Sequence, residues 1–134
     1  NGEQVSTVTS WSYDTHAGTL APLQMLSTLP GDWQGDNSSS QITTTPDGRH
    51  VYSCNRGHDS LAGFSVDGDS GALTTIGTFP TVGTPRPLAV APDGASLFVA
   101  GTQLRVFRVA RDGALHVIAD LDPGPVSWIL AVRT

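Results

Sequence analysis

The sequence predicts an all-β chain built as β-propeller blades of four antiparallel strands, and three observations carry that reading. The 134 residues hold 15 Gly and 9 Pro, with 14% charged and 38% hydrophobic residues, which suits short strands and tight turns better than long helices. The stretch "ITTTPDGRHVYSCN" (42–55) lines up with "LAVAPDGASLFVAG" (88–101), placing Pro46 and Pro92 46 residues apart. A second element recurs out of phase as "SYDTHAGTL" (12–20), "SVDGDSGAL" (65–73) and "VARDGAL" (109–115). Each element reads strand, turn, strand. Together they make four strands per period in the forties, the signature of a propeller blade.

In chain order, the outer two strands of one blade fall at 4–13 and 20–29, within residues 1–30. A full blade follows over 39–80, with strands at 40–45, 50–55, 60–67 and 72–79. A second full blade covers 86–122, with strands at 87–91, 96–100, 103–110 and 114–121. A closing strand is expected over 126–133, within the segment 125–134. In each Pro-Asp-Gly turn, proline presets φ for the first corner and glycine supplies the left-handed residue. The alternation Val99, Leu104, Val106, Phe107, Val109 is imperfect, as expected where sheets pack on both faces. Two full and two partial blades do not close a ring, and propellers protect their edges by closing. The chain opens on "NGEQVSTVTSWSYD", nearly in mid-strand. It is therefore expected either to self-associate through open blade faces or to be part of a longer protein.

Charge and composition narrow the function classes. A net charge of −5 and a pI near 5.0 provide no basic stripe for nucleic acid. No apolar run approaches the roughly eighteen residues of a membrane span. All seven basic residues are arginine, which fits both a GC-rich genome and a preference for bidentate anion contacts. The single Cys54 excludes an internal disulfide, implies no oxidising compartment and reads as a buried structural thiol. No His/Cys/Asp cluster has metal-ligand spacing and no Gly-x-Ser-x-Gly elbow is present. Neither metal nor cofactor is expected.

Strand direction sorts the loops onto two faces. The Pro-Asp-Gly and "DGDSG" turns share one face. The other collects "NGEQ" (1–4), "PGDWQGDNSSS" (30–40), "NRGHDS" (55–60) and "TVGTPRP" (81–87). That rim gathers Glu3, Trp33, Asp36, Arg56, His58, Asp59 and Arg86, and convergent polar groups at a channel mouth are a default ligand site. Arg56 and Arg86 suit an oxyanion and a phosphate, since guanidinium forks bind either in two parallel hydrogen bonds. Glu3 or His58 suits a general base. Asn55 and Asp59 flank them as substrate-binding candidates. Structural readings stand beside these: Arg56 capping carbonyls or pairing with Asp59, Arg86 clamping an inter-blade loop, His58 and Asp59 as a solvated pair. His16, His50 and His116 read as surface residues. Trp11, Trp33 and Trp128 read as packing between blades, with Trp33 also suited to lining the rim.

The stretches "LSTLPGDW", "ITTTPDGRHVYSCNRGHDSLAGFSVD", "GTPRPLAVAPDG" and "LFVAG" resemble the lactonase family of seven-bladed propellers. The likeness is to its cytosolic 6-phosphogluconolactonase type, which shares a fold with the fungal carboxymuconate cyclase. It covers essentially the whole chain and is most specific where "PDGRHVYSCNRG" is followed by "GTPRP". The family's full chain is more than twice as long, so the resemblance is to its C-terminal part. It implies a cytoplasmic enzyme that opens a small sugar lactone, 6-phosphoglucono-δ-lactone, by direct water attack. Arg56 in "SCNRG" matches a family arginine proposed for the active site. Glu3 in "NGEQVSTV" matches the acid of the family's "NEL…STV" pattern after a shift of one position. Arg86 in "TPRP" matches the family's Pro-Arg pair. The family's proposed histidine and a further arginine belong to earlier blades. Two departures stand out: the short "AGTQL" (100–104), where relatives carry a longer loop, and Thr43, where some carry histidine. The alternative is a non-catalytic propeller module that binds a ligand or protein.

Overall fold

A computed structural model describes residues 1–133, which form ten antiparallel strands and no helix. A hairpin of β1 (Thr7–Asp14) and β2 (Thr19–Ser27) precedes two four-stranded meanders. The first meander runs β3 (Ser38–Thr44), β4 (His50–Arg56), β5 (Ser60–Val66), β6 (Leu73–Pro80). The second runs β7 (Leu88–Val90), β8 (Ser96–Ala100), β9 (Leu104–Val109), β10 (Leu115–Leu121). Sequence and spatial order coincide because short turns can join only neighbouring antiparallel strands. Among the described residues no helix is long and apolar enough to cross a membrane.

The sheets bury their faces against one another along two seams. Tyr52, Cys54 and Leu61 of the first meander pack with Leu88, Leu97, Val99, Phe107 and Leu115 of the second. A smaller cluster of Val8, Val51, Ala62, Phe64 and Leu73 joins the hairpin to the first meander. Burying each such aliphatic or aromatic side chain contributes roughly 1.5–3 kcal/mol. Polar clasps align the seams. The Gln41 amide donates to the Leu88 carbonyl at 2.9 Å and accepts from the Leu88 N–H at 3.2 Å. Gln24 does the same to Leu73, at 3.1 and 2.7 Å. A glutamine clasp satisfies the backbone groups of an edge strand that no ladder reaches. The Tyr52 hydroxyl crosses the larger seam to donate to the Gly113 carbonyl at 2.8 Å, and burial holds its phenol well above the ordinary range.

Three sequence expectations are corrected. Residues 122–133 form no strand, whereas one is expected over 126–133; Thr134, the end of that segment, lies outside the described residues. Pro123 and Pro125 each lack a ladder N–H, and residues 129–132 lie in a cleft beside Ala91, Pro92 and Phe98 without joining a ladder. His50 is not a surface residue: it is 7% exposed. Gly113 at φ +82° brings its backbone against the His50 ring, and a side chain there would strike the imidazole. Trp11 and Trp128, expected between blades, are 52% and 72% exposed. Trp11 sits at the mouth of the groove beside β3, and Trp128 follows the proline-broken segment.

Candidate active site at the rim

Strands β3 and β5 begin at one end of the first meander, and β4 and β6 finish there. Loops 28–37, 57–59 and 81–87 therefore meet at this end, and the Pro-Asp-Gly turns lie at the other. The arrangement matches the sorting of loops drawn from the sequence.

Arg56 closes β4. Its Nη2 donates to the Glu3 carboxylate and to the Ser39 carbonyl at 3.1 Å. Its Nε is buried without a partner, and its side chain is only 16% exposed against 59% for Glu3. The Glu3 carbonyl accepts from the Ser39 N–H at 2.9 Å, so one short segment is fixed by backbone and side chain together. Arg56 thus pairs with Glu3 and not with Asp59. The Asp59 carboxylate accepts from the Gly57 N–H at 3.4 Å, and its backbone sits at φ +50°. Asp59 shapes the loop, because Asp tolerates the left-handed region better than most residues.

Asn55 lies beneath the rim with no exposed surface. Its amide donates to the Thr28 carbonyl at 2.7 Å and the Ser60 hydroxyl at 3.3 Å. Its carbonyl oxygen accepts from the Thr28 hydroxyl at 2.7 Å and the Asn37 amide at 3.3 Å. An Asn side chain offers two donors and an acceptor oxygen with two lone pairs, so its capacity is filled and Asn55 anchors the strand beneath Arg56.

His58 extends the same network. Its N–H donates to the Asn37 side chain at 3.0 Å, and its Nδ1 lies 2.7 Å from the Ser60 hydroxyl. The Trp33 ring meets it edge-on, with centroids 4.7 Å apart and planes 88° apart. Trp33 Nε1 is buried and unpartnered. With Nδ1 engaged, Nε2 is the nitrogen left for exchange chemistry.

Arg86 is exposed on a fixed backbone between the buried Pro85 and Pro87. Its N–H donates to the Ala100 carbonyl at 3.0 Å, and its carbonyl accepts from the Cys54 thiol at 3.9 Å. That contact sets the Arg86 backbone beside β4, two residues before Arg56. Among the described residues its guanidinium has no partner. Burial pushes the Cys54 thiol up to about 12, so it stays neutral and structural.

Thr28, Asn37, Ser39 and Ser60 hold this rim, and the sequence reading missed them. A signal was present in the polar run "DNSSS" (36–40), which opens a strand where β-branched or aromatic residues are usual. Polar side chains there need buried partners.

The comparisons with known proteins bear on the fold and the family. A family described as Lactonase, 7-bladed beta-propeller matches residues 1–127. The 6-phosphogluconolactonase of Klebsiella pneumoniae (strain 342) is 32% identical over 115 residues, 83% of this chain and 35% of its own. The periplasmic gluconolactonase of Pseudomonas aeruginosa superposes with a TM-score of 0.83 at 30% identity, over 91% of this chain and 35% of that one. A protein from Lactobacillus plantarum gives the same score and identity over 90% and 36%. The chain spans between 24% and 35% of the length of such curated relatives, the shortest share being that of a Lactococcus lactis protein. With its four-stranded meanders, a family match over residues 1–127 and these likenesses in agreement, the chain belongs to the lactonase family of seven-bladed β-propellers.

Proposed function

We propose that this rim is part of the catalytic mouth of a sugar lactonase, which opens 6-phosphoglucono-δ-lactone with water. The carrying observation is Arg56, held by Glu3 and Ser39 at the loop end of β4, with Nη1 unpartnered among the described residues. Water adds to the lactone carbonyl and its proton passes to a base. The tetrahedral oxyanion collapses, the ring C–O bond breaks, and the ring oxygen takes a proton to give the open hydroxy acid. Arg56 suits the oxyanion, because a fixed donor needs little reorganisation as charge develops. Arg86 suits the phosphate, as a fork on a rigid backbone. Glu3 orients Arg56, and either its exposed carboxylate or His58 Nε2 receives the water proton. Asn55 and Asp59 support the reading by position, one anchoring β4 and the other shaping the loop.

The relatives named as lactonases support this class of substrate, and the activity proposed here is that of a complete seven-bladed ring. Self-association belongs to the same proposal: Trp11, Tyr13, Leu20 and Met25 are exposed on the hairpin, as are Val117, Ile118 and Leu121 on β10. Sedimentation showing a monodisperse monomer removes that part. Cytoplasmic residence belongs to it as well, set against the periplasmic Pseudomonas neighbour, and cell fractionation decides.

One observation favours a binding module without turnover: the Glu3 carboxylate is already engaged by Arg56. The deciding experiment is hydrolysis of 6-phosphogluconolactone by the purified chain, with spontaneous opening subtracted and gluconolactone run alongside. A rate above background that falls about 10²–10³-fold in Arg56→Ala is the expected result. No rate above background, with the lactone still bound, establishes the binding module instead.

A further inference from the structure

The face opposite the rim carries a second cavity, of about 440 Å³, between the Pro-Asp-Gly turns of the two meanders. That volume lies within the roughly 300–1,000 Å³ of small-molecule sites. Arg49 and Arg111 line it from exposed turns, and His50 at the start of β4 lines it too. Among the described residues neither guanidinium nor the imidazole has a hydrogen-bond partner, although His50 is more than nine-tenths buried. Among the described residues the His50 ring nitrogens are not fully enclosed orphans, so the imidazole keeps access to the cavity it lines.

Two carboxylates also line the cavity, and both are committed to their own turns. Asp47 accepts from the Thr45 hydroxyl at 2.6 Å and the Arg49 N–H at 3.1 Å, and Asp93 accepts from the Ala95 N–H at 2.9 Å. The Thr45 hydroxyl and then the Arg49 N–H hold the Asp47 carboxyl below its usual range. Arg49 also acts on Asp47 through space, yet among the described residues no hydrogen bond occupies either the Arg49 or the Arg111 guanidinium.

We propose that this inter-blade cavity binds a phosphate group, free or as a monoester, gripped by Arg49 and Arg111 with His50 beneath. Guanidinium forks match phosphate oxygens in paired hydrogen bonds, and the site is independent of the chemistry at the rim.

A ¹H–¹⁵N NMR titration of the chain with inorganic phosphate, run beside acetate at constant ionic strength, tests the site. Saturable shifts at the amides of Gly94, Ala95 and Gly113 are expected. Affinity should weaken about tenfold or more in Arg49→Gln and in Arg111→Gln, since hydrogen bonds to charged groups are worth about 1.5–3 kcal/mol each. Both side chains are exposed, so these variants retain the fold, and Arg108→Gln on β9 serves as the charge-matched control. Shifts confined to Gly57 and Asn37 place the anion at the rim and overturn the proposal. So do an absence of saturation, shifts unchanged in both arginine variants, or acetate binding as tightly as phosphate.

Discussion

The two ends of the same strands are built on different principles. At the turn face, an Asp side chain takes up free N–H groups in each turn: Asp14 those of His16 and Ala17, Asp67 that of Ser70, Asp93 that of Ala95, Asp112 that of Ala114. Each turn closes on itself within two or three residues. At the rim, partners are distant in sequence: Arg56 reaches Glu3, Asn55 reaches Thr28, and Asn37 reaches both Ser6 and Asn55. Local turns restore the chain direction cheaply and tolerate change singly. The rim network binds three segments at once, and losing one member takes a partner from several buried groups together.

That contrast fails first if Asn55→Ala is mild. Removing this amide orphans the Thr28 carbonyl and takes one partner each from the Thr28 hydroxyl, Asn37 and Ser60, and a loss of about 3–4 kcal/mol in urea unfolding is expected. Gly57→Ala comes next, at about 3 kcal/mol, because Gly57 holds φ +126° and a methyl would collide with the Asp36 carbonyl. A cost for either that matches a turn-face variant would mean the rim is no more cooperative than the turns. Tyr52→Phe, across the seam between the two ends, should cost about 1–2 kcal/mol by orphaning the Gly113 carbonyl. Asp93→Ala, on the turn face, should cost only about 0.5–1 kcal/mol for its single exposed hydrogen bond.

The smallest effect per group is acid sensitivity. Turn N–H and hydroxyl donors hold the Asp14, Asp47 and Asp67 carboxyls below their usual range, and the Arg105 guanidinium does so for Asp120. Folded pKa values below the unfolded value of about 3.9 make a contribution that is complete well above pH 4. It is lost as pH falls through the folded values. Urea midpoints should therefore stay flat from about pH 7 to 5 and drop below about pH 4. A midpoint that rises on acidification contradicts those assignments.

Much of the rim was legible in the residues. Period and turn type placed Glu3, Arg56, His58 and Arg86 at one end, since strand direction follows from counting strands. Their partners were not legible. Arg56 had an acid three residues away in Asp59 and another 53 positions away in Glu3, and only the folded chain chose the second. Asn55 looked like a ligand contact because it adjoins Arg56 in a polar loop, yet β-strand alternation turns the two side chains to opposite faces.

The order and rough position of the ten strands and the two-faced arrangement of loops come from the sequence alone, because they rest on backbone stereochemistry and hydrophobic alternation within a few residues. The tertiary structure decided what stacking one blade on another brings together. It buried His50 under Gly113, spent Asn55 on the hairpin, set Glu3 on Arg56, and left the stretch after Pro125 without a ladder. Such outcomes depend on distances between segments tens of residues apart, and no local propensity encodes them.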